Sequence, residues 1–466
     1  MTTTPLMTVP AQRPPLDGLA SRLRGRLLPG GSQECARLST PWNVAVPVHP
    51  YAVVAAADAG DVVEAVRYAG RSGLEVLVQN TGHGAWQSGE GALLVQTGRL
   101  DECTVHPDGW ARVGAGVRWQ RVLEAAAPFG LAPLAGSAPD VGVVGYTTGG
   151  GHGPLARTYG LASDRVRAFE VVTGDGELRR VTPTEHPDLF WGLRGGKGAL
   201  GVVTAVEFDL LPLAGFYGGS VFFDGADAET VLHAWQQWCD GLPGEATTSL
   251  ALLRLPPLPG VPEPLAGRLT VAVRFAWAGD AASGARVLAG LRGCAPVLLD
   301  GVGELPYAAL GQVHLDPVDP LPATEAHTLL TELPPEALDA LLPLVGPDAP
   351  AGPGQLLVEI RQLGGATARE PEHPSAFCAR SAPYSLLAVG IAAPPVVEAV
   401  REHARQVLAA LAPWDSGRQL PNFAGGADAA TMRRFYDAPT LARLAQLAER
   451  YDPQRVIGLA RGLRTP

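Results

Sequence analysis

The stretch Val78-Gln79-Asn80-Thr81-Gly82-His83-Gly84-Ala85 places a histidine in a glycine turn, and its reading decides the fold. It follows Leu74-Glu75-Val76-Leu77-Val78, a short apolar run that reads as a buried strand. Gly82 and Gly84 open a tight loop, because glycine tolerates positive φ and lets backbone approach a ligand. A strand ending in such a loop presents backbone N–H groups to an anion, with the imidazole beside it. A second turn, Gly149-Gly150-Gly151-His152-Gly153, lies downstream. Taken singly, the first is also a structural histidine and the second a surface turn. Their order and spacing with other segments separate the readings.

Those other segments are Ala59-Gly60-Asp61-Val62-Val63-Glu64-Ala65-Val66, Gly136-Ser137-Ala138-Pro139-Asp140-Val141-Gly142-Val143-Val144-Gly145-Tyr146-Thr147-Thr148, Tyr159-Gly160-Leu161-Ala162-Ser163-Asp164, Asp188-Leu189-Phe190-Trp191-Gly192-Leu193-Arg194-Gly195-Gly196 and Gly201-Val202-Val203-Thr204. In this order the chain resembles the FAD-linked oxidases of the berberine bridge enzyme type, within the vanillyl-alcohol oxidase group. The resemblance is close over roughly residues 40–215 and loose beyond.

The resemblance implies an α+β fold. A PCMH-type FAD-binding domain would be built from both ends of the chain, with a substrate domain between, carrying an antiparallel sheet covered by helices. The boundaries read as a tail and first helix over 1–38, the FAD domain over 39–213, the substrate domain over 214–412, and a returning segment over 413–466. FAD is the implied cofactor. A histidine at the position of His83 is bonded to the flavin 8α carbon in the family, which tunes the cofactor's electronics. Many relatives add a cysteine bond from a Gly-x-Cys-Pro segment; here that position is Ala138, so a single bond through His83 is expected. Thr81, Gly82, Gly84, Ala85, Ala138, Gly142, Val143, Gly145, Tyr146, Thr148, Gly149, Gly150 and Gly153 would cradle the cofactor, with Lys197, Gly201, Val203 and Asn422 beside it. A nicotinamide site is the competing reading of a glycine run. It needs a strand before the turn and an acidic residue about 20 positions on, and the spacing to Asp164 does not supply it.

For catalysis, His152 matches a position where some relatives place a tyrosine near substrate. A histidine there can take a proton near neutral pH. Tyr146 matches a residue that touches the flavin or its ribityl chain. Departures are as informative. The strand position where relatives carry a base is Leu387, and the C-terminal Tyr-x-Asn segment reads Leu420-Pro421-Asn422-Phe423. Along Leu356–Gln362, alternation sends Glu359 and Arg361 to one face and Gln362 to the other. Gln362, with Leu387 and Leu420, is the expected substrate contact. The leading function is an oxidase acting on a small molecule, a secondary metabolite by family habit. Hydride would pass to flavin N5, with O2 as acceptor and H2O2 as product. A redox-neutral flavin-containing cyclase and a non-catalytic flavin carrier are the alternatives.

Composition is compatible with this reading. The 466 residues are 46% hydrophobic and 18% charged, enough for large cores. The net charge of −10 gives no basic footprint for nucleic acid or an anionic membrane. Five dispersed cysteines without a Cys-x-x-Cys pair argue against zinc or a disulfide framework. Neither an export signal nor an apolar span of membrane length is visible, so a cytoplasmic location is expected, with residues 1–15 as a disordered tail; the oligomeric state is left open. Periodicity predicts a helix capped by Asp61, hairpins around Asp108-Gly109 and Gly174-Asp175-Gly176, and a helix over Trp119–Ala126. After Pro212 it predicts helices over Asp227–Asp240, Gly279–Leu291 and Pro395–Leu411, and strands over Leu269–Phe275, Leu356–Gln362 and Tyr384–Gly390.

Overall fold

The computed structural model describes residues 14–85, 89–350, 352–424 and 428–464. Most of the expected tail therefore lies outside the described residues.

The N-terminal half carries two sheets. In the first, Ala52–Ala55, Leu93–Gln96 and Val76–Gln79 pair in parallel, with Arg26–Pro29 antiparallel at one edge. Helix Ala59–Ser72 buries Val62, Ala65, Val66 and Ala69 as one stripe. Its cap is Asp58, which accepts from Asp61 N; Asp61 itself is inside the helix. The buried Asp61 carboxylate instead accepts from Arg24 N, Gly25 N and Ala57 N at 2.7–2.8 Å, tying the N-terminal segment to the helix. The expected cap was displaced by one turn because both aspartates suit a helix start, and only burial separates them.

In the second sheet, Val202–Asp209 lies centrally between Trp110–Gly114 and Val166–Val172. Both predicted hairpins are present at its edges. The two sheets and the C-terminal segment share one core, in which Phe169, Phe190, Leu444 and Ile457 are buried. Val76 N donates to Val456 O, so the end of the chain continues the first sheet.

The middle of the chain forms an antiparallel sheet in the order Val297–Asp300, Gly215–Asp224, Leu269–Trp277, Ala246–Arg254, Leu357–Gln362, Tyr384–Ile391, Ala323–Leu330. Helices Ala228–Cys239, Ala281–Arg292, Pro335–Val345 and Val397–Ala410 match the alternation read after Pro212 or add to it. They cover one face, burying Leu250, Val273, Ile360 and Leu386 against Trp235, Leu288, Leu338 and Val407. Strands Gly215–Asp224, Ala246–Arg254 and Ala323–Leu330 were not anticipated. The opposite face is polar at its centre and fronts the candidate site.

Candidate active site

Strand Val76–Gln79 delivers the chain to the turn at Thr81–Ala85. Gly82 has φ +76°, and a Cβ there would lie 2.5 Å from Pro41 Cβ, so only glycine fits. Trp42 N donates to Thr81 O at 2.8 Å. The Trp42 indole stacks on the His83 ring at 4.5 Å and 15°. His83 Nδ1 is 2.8 Å from Thr81 Oγ1, and Nε2 is 3.2 Å from Asp140 Oδ2. The N–H groups of His83 and Gly84 have no partner among the described residues, while Ala85 N is taken by Gly82 O.

The second wall is helix Val143–Thr148 and the Gly149–Gly151 turn. Asn422 clamps them together: its Nδ2 donates to Tyr146 O and its Oδ1 accepts from Gly151 N, both at 2.9 Å. Gly151, at φ +80°, lies so close that a Cβ would sit 2.7 Å from the Tyr146 ring. The Tyr146 ring packs edge-on against Trp119 at 5.5 Å. Its buried hydroxyl has no partner, and burial pushes the phenol well up. Thr148 O accepts from Gly195 N and Lys197 N. Lys197 donates from Nζ to Ala424 O at 3.2 Å; burial pushes it down to about 8. Gly201 and Val203 sit at the start of the central strand, Val203 paired with Val171. Ala138 presents no thiol, and all five cysteines are free.

These walls fit FAD. Asn80 Nδ2, Asp140 Oδ1 and the Tyr146 hydroxyl are buried without hydrogen bonds, and Asp140 Oδ2 and His83 Nε2 have only each other, at 3.2 Å. Buried polar atoms left unpaired by protein mark places that a polar ligand or ordered water fills. The unpaired N–H groups of the His83 turn supply donors for one.

The third wall is the polar face of the large sheet. Register pairs Arg274 with Ser249 and Ser249 with Arg361; one step along, Glu359 pairs with Leu387 and Leu387 with His327. Directly paired residues share a face. Glu359, 1% exposed, is the hub. Arg274 Nη1 donates to it, as do Ser249 Oγ at 2.7 Å and Arg361 Nε at 2.8 Å; His314 Nε2 lies 3.5 Å away. Burial alone would raise this carboxyl, but the Arg361 and Arg274 guanidinia hold it well below the usual range. His152 and His327 are buried with every ring nitrogen unpartnered, and His314 is buried with only the Glu359 carboxylate near its Nε2. Burial, with Arg361 adding, lowers His152 and His327 to about 3. His152 is thus neutral at pH 7 and does not titrate there, contrary to expectation. Between His152, Thr247, Arg274, His314 and Arg361 lies a recess with about 10 Å³ of free space, room for one water-sized group.

Phe423 joins the walls. It stacks with His327 at 5.7 Å and carries the Arg361 guanidinium 4.8 Å above its ring, next to the Asn422 clamp. Leu387 lies half-buried between Glu359 and His327. Leu420 is buried with Leu161, Leu329 and Phe377. Gln362 follows the alternation away from Glu359 and Arg361: its Nε2 donates to Cys239 O at the end of helix Ala228–Cys239. Arg361 and Gln362 both line the recess. His327, His314, Arg274 and Phe423 were missed. For His327 a signal existed: in Ala323-Thr324-Glu325-Ala326-His327-Thr328-Leu329-Leu330, alternation puts Glu325, His327 and Leu329 on one face. Glu325 is exposed on that face, near Lys197.

Among the described residues no group of His, Cys, Asp or Glu is placed to hold a metal, and no helix is long and apolar enough to cross a membrane.

Residues 50–182 match the FAD binding domain family. The chain is 38% identical over 175 residues to (R)-6-hydroxynicotine oxidase of Paenarthrobacter nicotinovorans, covering 36% of this chain and 38% of that protein. The chain thus spans only about a third of the length of the first such relatives. The fold is that of 6-hydroxy-D-nicotine oxidase from Arthrobacter nicotinovorans, with a TM-score of 0.81 at 24% identity over 94% of this chain and 97% of that one. Glucooligosaccharide oxidase from Acremonium strictum, described with a 6-S-cysteinyl, 8α-N1-histidyl FAD, superposes with a TM-score of 0.81 at 20% identity over 95% of this chain and 97% of that one.

Proposed function

We infer that this chain, whose FAD-binding domain and fold are those of the vanillyl-alcohol oxidase and berberine bridge enzyme-like FAD-linked oxidoreductases, oxidises a small molecule in the space between its glycine turns and its polar sheet face. The observation that carries this reading is the convergence of three walls through Asn422 and Phe423, with orphaned buried polar atoms on each. FAD, when bound, supplies a hydride acceptor that O2 can reoxidise with release of H2O2.

His83 is the residue to hold the cofactor covalently. Asp140 lies beside Nε2, so Nδ1, next to Thr81 Oγ1, is the ring nitrogen that would hold the flavin. With alanine at position 138, a second covalent bond has no donor there. The Gly82–Ala85 and Gly142–Gly153 segments supply backbone donors, and Tyr146 a hydroxyl. On the substrate side, neutral His152 and His327 orient polar groups by hydrogen bonding, since neither is basic enough to deprotonate an alcohol or amine at pH 7. Phe423 and Leu387 give the apolar surface a small ring or chain needs.

Acid precipitation of the purified protein tests the cofactor assignment. A yellow pellet is expected for the wild type and a colourless pellet for His83→Ala. Flavin released into the wild-type supernatant would overturn the covalent bond. Peroxide release on screening donors tests the oxidase reaction. Flavin bleaching by a donor under nitrogen without peroxide in air would leave a dehydrogenase instead.

A further inference from the structure

The charges on the polar sheet face do not balance. Arg274 and Arg361 share one carboxylate, Glu359, and all three are buried. Arginine stays protonated in any protein environment. The three neighbouring histidines are neutral and add no charge. One positive charge is therefore left over. It falls on the Arg361 side, because Arg361 spends only Nε on Glu359, while Arg274 also reaches His314 O. The two terminal nitrogens of Arg361 have no partner among the described residues. Arg361 lines the recess with His152 and Thr247, whose Oγ1 is also unpartnered. Arg157, the other buried cation nearby, is occupied by Ala246 O and Leu363 O.

We propose that this oxidoreductase takes an anionic substrate, a small organic carboxylate, whose head group is bound by the free edge of the Arg361 guanidinium. The inference rests on the reading of this space as the substrate site. A planar guanidinium with two parallel donors matches a carboxylate in bidentate geometry. Its other edge is fixed by Glu359 and its face by Phe423, so the side chain is held before the ligand arrives. The 10 Å³ recess has room for one water-sized group and not for an aromatic ring, so the carboxylate would meet the guanidinium at the mouth, one oxygen inside and one outside, with the body of the substrate outward, over Leu387 and Phe423.

Benzoate and benzamide, alike in shape and different in charge, are the probes. Each is titrated into the holoprotein, following both the melting temperature and the visible flavin spectrum. Benzoate is expected to saturate both signals at least tenfold more tightly than benzamide. Arg361→Gln should weaken benzoate at least tenfold and benzamide less than twofold; Arg361→Lys, which keeps the charge but not the fork, should lie between. Equal affinity of the two probes for the wild type would overturn the inference without any variant. So would benzoate binding unchanged in a folded Arg361→Gln, which would place the anion elsewhere. If Arg361→Gln shifts the flavin potential but leaves benzoate affinity alone, the excess charge serves the cofactor and the inference falls. A preparation without flavin would sink the oxidase reading instead, and the melting-temperature comparison still reads carboxylate binding.

Discussion

At the scale of single residues, Glu359 is where the chemistry of the sheet face is decided. A buried carboxylate between two guanidinia is stable only as an ion, and removing it leaves two buried cations facing each other. Glu359→Gln is expected to cost about 3–5 kcal/mol, read by urea denaturation. The sign with pH follows from the depressed carboxyl. An unfolded glutamate titrates near ~4.3, so the contribution is complete above that pH and lost as pH falls toward the folded value. The gap between wild type and variant should be constant above about pH 5 and shrink by about 1.4 kcal/mol per unit below about 4.3. A gap that widens in acid would contradict the ion-pair assignment. His83 and the glycines around it were legible because their chemistry is local to one turn. Glu359 and Arg361 were placed on one face by strand alternation alone. Which of their neighbours bear charge depends on pairing with strands more than a hundred residues away in sequence for Ser249 and closer for His327, and no local pattern encodes that register.

At the scale of elements, the glycine turn after helix Val143–Thr148 depends on a residue from the far end of the chain. Gly149–Gly151 has little preference for one conformation by itself, and Asn422 fixes it with one donor and one acceptor. Asn422→Ala leaves Gly151 N unpartnered, at about 1–3 kcal/mol, and removes one of the two donors to Tyr146 O, which keeps Gly149 N. The cost falls on the cofactor wall, so the ratio of visible to ultraviolet absorbance in freshly purified protein should drop while the far-ultraviolet spectrum is unchanged. Full flavin loading in the variant would show that the turn holds its shape unaided. The Leu420–Phe423 segment was legible as a departure from the family pattern, but its role as a clamp was not, because that role is tertiary. Helices Ala228–Cys239, Ala281–Arg292 and Val397–Ala410 were read to within one to two residues from their apolar stripes. Strand Ala323–Leu330 escaped because threonine, glutamate and histidine interrupt its apolar run, and of these Glu325 and His327 lie on the polar face.

At the scale of the molecule, the three walls come from four stretches of chain that are separate in sequence. The C-terminal segment is tied to the first sheet by Val76–Val456 and to helix Pro187–Leu193 by Arg450–Asp188 at 2.6 Å. The edge strand of the large sheet is pinned to the N-terminal half by Asn43, which donates to Ala323 O at 2.9 Å and accepts from Ala323 N at 3.0 Å. A cofactor placed among these walls would contact all of them and act as a cross-link between the halves of the fold. A ligand that binds only the folded state stabilises it by RT ln(1 + [L]/Kd), about 2.7 kcal/mol at a hundredfold excess over Kd. A covalent cofactor is at saturation whatever the concentration outside. The melting temperature of the wild type is therefore expected to be indifferent to added FAD. That of His83→Ala should start lower and climb logarithmically with added FAD, without reaching a plateau while the ligand exceeds Kd. If His83→Ala melted at the wild-type temperature with no FAD bound, the walls would be held by Asn43, Asn422 and the C-terminal contacts alone, and the cofactor would be a passenger in a fold already complete.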